Sequence, residues 1–156
     1  MECREKLEAY LRQNGVPFQV QHHPRAFTAQ EVSEREHVPG KLVAKVVIVI
    51  ADGKQLMLAL HAPWRVDLNK ASAAVHAEEV RLAREEEFVA DFPDCEVGAM
   101  PPFGNLYNLP VYVDRALAED ETIYFQAGTH SDSMSLKYAD FARLVRPTVA
   151  SFGYHA

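Results

Sequence analysis

The stretch Leu42–Ile50 reads LVAKVVIVI, and Asp52-Gly53 follows it before Gln55–Leu60, QLMLAL. Apolar residues occupy both alternating faces of the first run, as expected of a strand covered on both sides. Asp-Gly is a favoured pair for a two-residue hairpin turn, whose two central positions take positive φ. The segment therefore predicts a buried antiparallel hairpin. Any fold that contains it must cover both faces with further layers, which sets the class before any other element is placed.

Helical and strand signals surround the hairpin. Residues 2–14 predict an amphipathic helix, with Leu7, Tyr10 and Leu11 on one face and Asn14-Gly15 as its stop. Phe18 and Val20 predict a short strand before His22-His23-Pro24. Thr28 and Glu31 fit a capping box at the start of a helix running to about His37, ahead of Pro39-Gly40. Val66–Lys70 leads into a short helix ending near Val75, and His76–Glu87 predicts a second, more charged helix with Val80, Leu82 and Ala83 as its apolar members. Gly98–Asn105 reads as a loop, and Pro110–Asp114, Thr122–Gln126 and Ser133–Lys137 as strands. Ala139–Val145 predicts a last helix, and the final ten residues an extended tail. The expectation is one α/β (mixed α+β) domain over residues 1–156, with a mixed sheet.

Composition narrows the function classes. The net charge of −6 argues against strong non-specific nucleic-acid binding, which needs many phosphate contacts, but leaves room for one local basic groove. The longest strongly apolar run, Val46–Ala51, is far shorter than the roughly 20 residues that span a bilayer. The N-terminal segment has no apolar core of a secretory signal, so no membrane partner and a cytoplasmic location are expected. Cys3 and Cys95 show no CxxC spacing and read as two reduced thiols.

Three features bear on chemistry. Lys45 shares a strand face with Val43, Val47 and Val49, where an ammonium group is costly unless it meets a polar cavity or a partner. It reads either as a cation awaiting a phosphate or oxyanion, or as a lysine whose head reaches water past an apolar stem. Gly98-Ala-Met-Pro-Pro102-Phe-Gly104 is either a rigid loop whose amides approach a ligand or an ordinary tight loop. Ala127-Gly128-Thr129-His130-Ser131-Asp132 is either a polar pocket wall at a strand end or a turn capped by its own hydroxyls and carboxylate. His22 and His23 lack the spacing of a metal site, and a metal-dependent hydrolase built on them is the weakest reading. There is no GxSxG elbow, no GxxxxGK[ST] loop and no GxGxxG.

Taken together, Lys45 in its apolar strand, the G-x-x-x-P segment Gly98–Pro102 and the late Gly128-Thr129-His130 turn followed by Tyr138-Ala139-Asp140-Phe141 resemble the YbaK/ProX family of aminoacyl-tRNA editing domains. The resemblance covers roughly residues 5–145 and includes His23-Pro24 ahead of Thr28. It implies a single domain with a curved, barrel-like mixed sheet flanked by helices, similar to the insertion domain of prolyl-tRNA synthetases. The implied activity is trans-editing hydrolysis of the ester between a small mischarged amino acid and tRNA, proline tRNA being the usual case, with no metal or other cofactor. By position, Lys45, Gly98 and His130 are implied as the catalytic set: Lys45 holding the 3′ acceptor end, the Gly98–Pro102 amides holding carbonyl or water, and His130 lining the aminoacyl pocket. Pro102, Phe103, Gly128, Thr129 and Asp132 are implied as substrate-binding. A synthetase or an elongation factor is the expected protein partner. Val46 stands where the alanine and cysteine subgroups carry a polar residue, so alanine, cysteine, serine and threonine all stay open. The alternative is a non-catalytic module of the same fold that binds tRNA or a synthetase.

Overall fold

The hairpin forms as its turn chemistry requires. In the computed structural model, which describes residues 2–22 and 43–155, β2 (Ala44–Ala51) and β3 (Lys54–His61) pair antiparallel from Ala44↔His61 to Ala51↔Lys54. Asp52 and Gly53 both take positive φ, 48° and 84°, which closes the two-residue turn. Ahead of the hairpin lie α1 (Cys3–Gln13) and β1 (Gln19–His22). After it come β4 (Trp64–Val66), α2 (Leu68–Val75), β5 (Val80–Leu82), α3 (Glu85–Phe88), β6 (Val111–Asp114), α4 (Arg115–Ala118), β7 (Thr122–Thr129), β8 (Asp132–Lys137), α5 (Tyr138–Val145), β9 (Thr148–Ala150) and β10 (Gly153–His155). Short 3₁₀ turns occupy Val89–Asp91 and Gly104–Tyr107.

The strands make a five-stranded mixed sheet in the order β5-β2-β3-β6-β9, a three-stranded sheet β1-β8-β7 and a ribbon β10-β4. A single parallel bridge, Val43↔Tyr124, touches the large sheet to the three-stranded one. None of the three sheets closes into a barrel among the described residues. The large sheet is covered on both faces, as the unbroken apolar pattern of its central hairpin predicts. One face, with Ala44, Ile48, Met57 and Ala59, belongs to the main core, which also holds Leu7 and Leu11 of α1, Phe103, Phe125 and Phe141. The other, with Val49, Leu56, Leu58 and Leu60, packs against Ala71 of α2 and Phe152.

Three expectations are corrected. The predicted helix His76–Glu87 is instead a left-handed stop at His76, the edge strand β5 and the single turn α3. The reason is tertiary: β2 would otherwise leave an unpaired edge, and Val80–Leu82 pairs with Val49–Ala51 while the Asp52 carboxylate accepts from the Glu78 and Glu79 amides. The final residues are not a loose tail. β9 pairs parallel with β6, and β10 pairs antiparallel with β4, anchored by the fully buried Phe152. Lastly, Cys3 and Cys95 are joined in a disulfide, their Cα atoms 5.1 Å apart. Cys3 opens α1, and its amide donates to the Asp94 carbonyl (3.0 Å), which brings the two thiols together from 92 residues apart. The capping box at Thr28–Glu31, its helix to His37 and His23 lie outside the described residues.

Candidate functional site

Strand β7 ends in Gly128-Thr129, and the hairpin to β8 carries His130 back over the loop that precedes Gly98. Four hydrogen bonds lock the two segments together. The Gly128 amide donates to the Ala99 carbonyl (2.8 Å), and the Glu96 amide donates to the Gly128 carbonyl (2.8 Å). The His130 amide donates to the Glu96 carboxylate (2.7 Å), and its ring Nε2 donates to the Val97 carbonyl (2.9 Å). The Nε2 bond fixes the ring plane and, in the neutral imidazole, makes Nδ1 the acceptor nitrogen. His130 is buried, at 5% exposure.

Gly98 lies directly against this imidazole. Its φ is +84°, and a Cβ there would stand 3.5 Å from His130 Cε1. Among the described residues, no hydrogen bond uses the amide of Gly98 or of Met100, whereas the Ala99 amide is spent on the Glu96 carbonyl (3.1 Å). Amides held rigid and left unused beside a buried histidine can receive an ester carbonyl or the oxyanion that forms from it.

The other residues expected in the site divide. Pro102 is buried within the same loop. Phe103 is fully buried and packs edge-on against Tyr10 and Phe141, so its side chain is committed to the core. Gly128 faces away from the loop, since a Cβ there would meet Cys3 Sγ at 2.6 Å. Thr129 Oγ1 donates to Asp132 (2.6 Å), and the Ser131 amide donates to Thr129 Oγ1 (3.2 Å), the local capping pattern of a turn. Asp132 also bonds His22 and pairs with Arg4 (3.5 Å). Burial works against the Asp132 carboxylate, but the Thr129 hydroxyl, His22 and Arg4 outweigh it and hold its pKa below the usual value.

Lys45 sits apart. It lies opposite Leu60 in the hairpin, half-buried, on the side of β2 where Val47 joins the smaller core. Met100 of the loop and Val46 both pack on the larger core instead. Among the described residues no hydrogen bond or ion pair joins Lys45 to Gly98 or His130. Burial, then the positive charge of Arg65, lowers its pKa. Sequence reasoning missed Glu96, the carboxylate that seats His130, and Arg65, the charge beside Lys45. Neither falls in a spacing that marks chemistry, although Glu96 stands two residues before Gly98.

A groove of about 510 Å³ runs over the polar face of the three-stranded sheet, lined by Gln19, Gln21, Tyr124, Ser133 and Ser135 among others. Among the described residues its lining contains neither Lys45, Gly98 nor any histidine. The unused amides and the imidazole suit acyl chemistry better than this groove does. Among the described residues, no ligand atoms of a metal site gather around His22. Cys3, Asp94 and Cys95 do converge within 4.8 Å, but both sulfurs are spent in the disulfide.

Comparison with known proteins places these features in company. Residues 23–144 match the family described as the aminoacyl-tRNA editing domain. A multifunctional Ser/Thr-tRNA deacylase, ProXp-y, of Escherichia coli K12 is 29% identical over 153 residues, covering 95% of this chain and 91% of that one. A proline–tRNA ligase of Acidithiobacillus ferrooxidans is 35% identical over 95 residues, which is 60% of this chain and 16% of the ligase. A crystal structure described as a candidate trans-editing enzyme for prolyl-tRNA synthetase superposes with a TM-score of 0.86 at 20% identity, covering 99% of this chain and 98% of that one, and shows the shared fold.

Proposed function

This chain belongs to the aminoacyl-tRNA editing domain family and is an aminoacyl-tRNA deacylase; we propose that it acts in trans on a small mischarged amino acid, using the Gly98–His130 cleft for the ester and Lys45 for the RNA end. The observation that carries this reading is the pairing of a buried, oriented imidazole with unused amides at Gly98 and Met100.

In the reaction a water oxygen bonds to the ester carbonyl carbon. The carbonyl oxygen gathers negative charge, and the Gly98 and Met100 amides receive it without reorganising. The bond to the ribose oxygen then breaks, that oxygen takes the proton given up by the attacking water, and the free amino acid leaves an uncharged tRNA. His130, held by Glu96 and the Val97 carbonyl, bounds the aminoacyl pocket and limits the side chain it admits. No side-chain nucleophile is needed, because positioning and electrostatics supply the acceleration. Lys45 neutralises phosphate or bonds ribose at the 3′ end.

Because the Escherichia coli relative is named for serine and threonine, those two amino acids head the substrate panel, with alanine and cysteine beside them on proline, alanine, threonine and cysteine tRNAs. Proline tRNA is the expected carrier, the cytoplasm the expected location, and a synthetase or an elongation factor the expected delivery partner. The test is hydrolysis across this panel. Acceleration of at least one ester, lost in Lys45→Ala with the fold intact, supports the reading. Tight tRNA or synthetase binding without turnover anywhere on the panel would replace it with the non-catalytic module.

A further inference from the structure

The ribbon formed by β4 and β10 lies beside Lys45. Its inner face carries Trp64 and Gly153: a Cβ on Gly153 would stand 3.2 Å from both Leu60 and Trp64. Leu60 is the register partner of Lys45. The ribbon therefore covers the same side of the hairpin, at the Lys45 end. Arg65 and Tyr154 are register partners, so they share the opposite, outward face. Arg65 is exposed, and Tyr154 is 42% exposed. Neither Arg65 nor Lys45 has an ion-pair partner among the described residues.

We infer that Arg65 and Tyr154 form, with Lys45, the seat of the single-stranded 3′ acceptor end of tRNA: Arg65 shares backbone phosphate with Lys45, and Tyr154 stacks on a base. This rests on the editing reading above and adds two residues to the surface that holds the RNA end.

Charge placement supports this occupant. Among the described residues, three carboxylates around the ribbon are already engaged. Asp67 accepts from the Asn69 and Lys70 amides, Asp114 from the Phe152 and Gly153 amides, and Asp120 from His61 (2.6 Å). The acidic run Glu85–Glu87 stands at the far end of the hairpin, where the Glu87 carbonyl accepts from Gln55. Six residues of strand separate that end from Lys45, roughly 20 Å at the strand rise. In a chain of net charge −6, two unpaired cations beside an exposed tyrosine make a local positive seat. Unpaired bases bind to such combinations by stacking on an aromatic face while cations follow the phosphates.

The test uses the full chain and an acceptor-stem minihelix ending in unpaired CCA, against the same stem trimmed blunt. Tyr154→Ala is expected to weaken binding of the tailed stem about 5- to 150-fold, the range of one base–aromatic stack, and Tyr154→Phe to retain it. Arg65→Ala is expected to reduce the slope of log affinity against log salt by about 0.7, one single-strand phosphate, with Arg65→Lys restoring it. In deacylation assays both alanine variants raise KM and leave kcat near wild type, because neither side chain touches the ester. The blunt stem loses no affinity in any variant. If wild type hydrolyses its ester while Arg65→Ala and Tyr154→Ala leave affinity, salt slope and KM unchanged, the seat is wrong and the editing reading survives. If wild type hydrolyses nothing, the reading beneath it has failed instead. Because both side chains are exposed, melting curves should match wild type; a kcat loss in the alanine variants that Tyr154→Phe and Arg65→Lys do not rescue also overturns the seat.

Discussion

Gly98→Ala separates backbone strain from chemistry, because the structure supplies its own control. Gly98 has φ +84°, where an L-residue pays about 1–2 kcal/mol. A new Cβ would meet His130 Cε1 at 3.5 Å, an ordinary contact, so no steric collision adds to that cost. Gly15, past the end of α1, has φ +67° with nothing within 4 Å of its would-be Cβ. Both alanine variants should therefore lose about the same 1–2 kcal/mol in urea denaturation. Only Gly98→Ala should lose turnover. Its methyl group stands on the imidazole, and any relief of the strain rotates the unused amide away from the carbonyl. Losing one such donor costs about 10²-fold or more in kcat elsewhere, and that is the scale expected here. The assay is single-turnover deacylation of the best ester from the panel, beside urea midpoints for both variants. A Gly98→Ala protein that is destabilised like Gly15→Ala yet turns over at the wild-type rate would refute the role given to the loop.

Other outcomes follow from the same geometry. Asp114 is 3% exposed and accepts from the Ala116, Phe152 and Gly153 amides, so Asp114→Ala leaves three donors without it and should cost about 3 kcal/mol or more, read by urea midpoint, with faster hydrogen exchange at Phe152 and Gly153; unchanged exchange there would refute the latch. The lowered pKa of Asp132 means its contribution is present above the unfolded carboxyl value of 3.8 and is lost as pH falls through the folded value. Stability of wild type should therefore drop more steeply below about pH 4 than that of Asp132→Asn, and parallel curves would sink the assignment. Opening the Cys3–Cys95 disulfide, which links positions 92 apart in sequence, should cost about 4–5 kcal/mol on the chain-entropy account. Reductant should lower the melting temperature of wild type and leave Cys3→Ser/Cys95→Ser unmoved, and an unmoved wild type would contradict the cross-link.

The β2–β3 hairpin, α1 and α5 were legible in the sequence because their information is local. Asp52-Gly53 specifies a turn whatever surrounds it, and the period of Leu7 and Leu11 specifies a helical face. The editing family was legible for a different reason: its short motifs recur in order, although each is weak alone. Gly98 lies against His130, and the hydrogen bonds that hold the imidazole run through Glu96 and Val97, which no spacing singled out. The segment His76–Glu87 has charges that suit a helix, yet the open edge of β2 draws Val80–Leu82 into a strand. The final residues look like a tail until Asp114 receives their amides, and Cys3 and Cys95 look unrelated until the fold stacks α1 on the loop after Asp94. Period and turn chemistry act between neighbours in the chain, so residue order alone determines them. Sheet edges, buried carboxylates and thiol pairs acquire their partners only when distant segments condense, so the tertiary structure alone decides them.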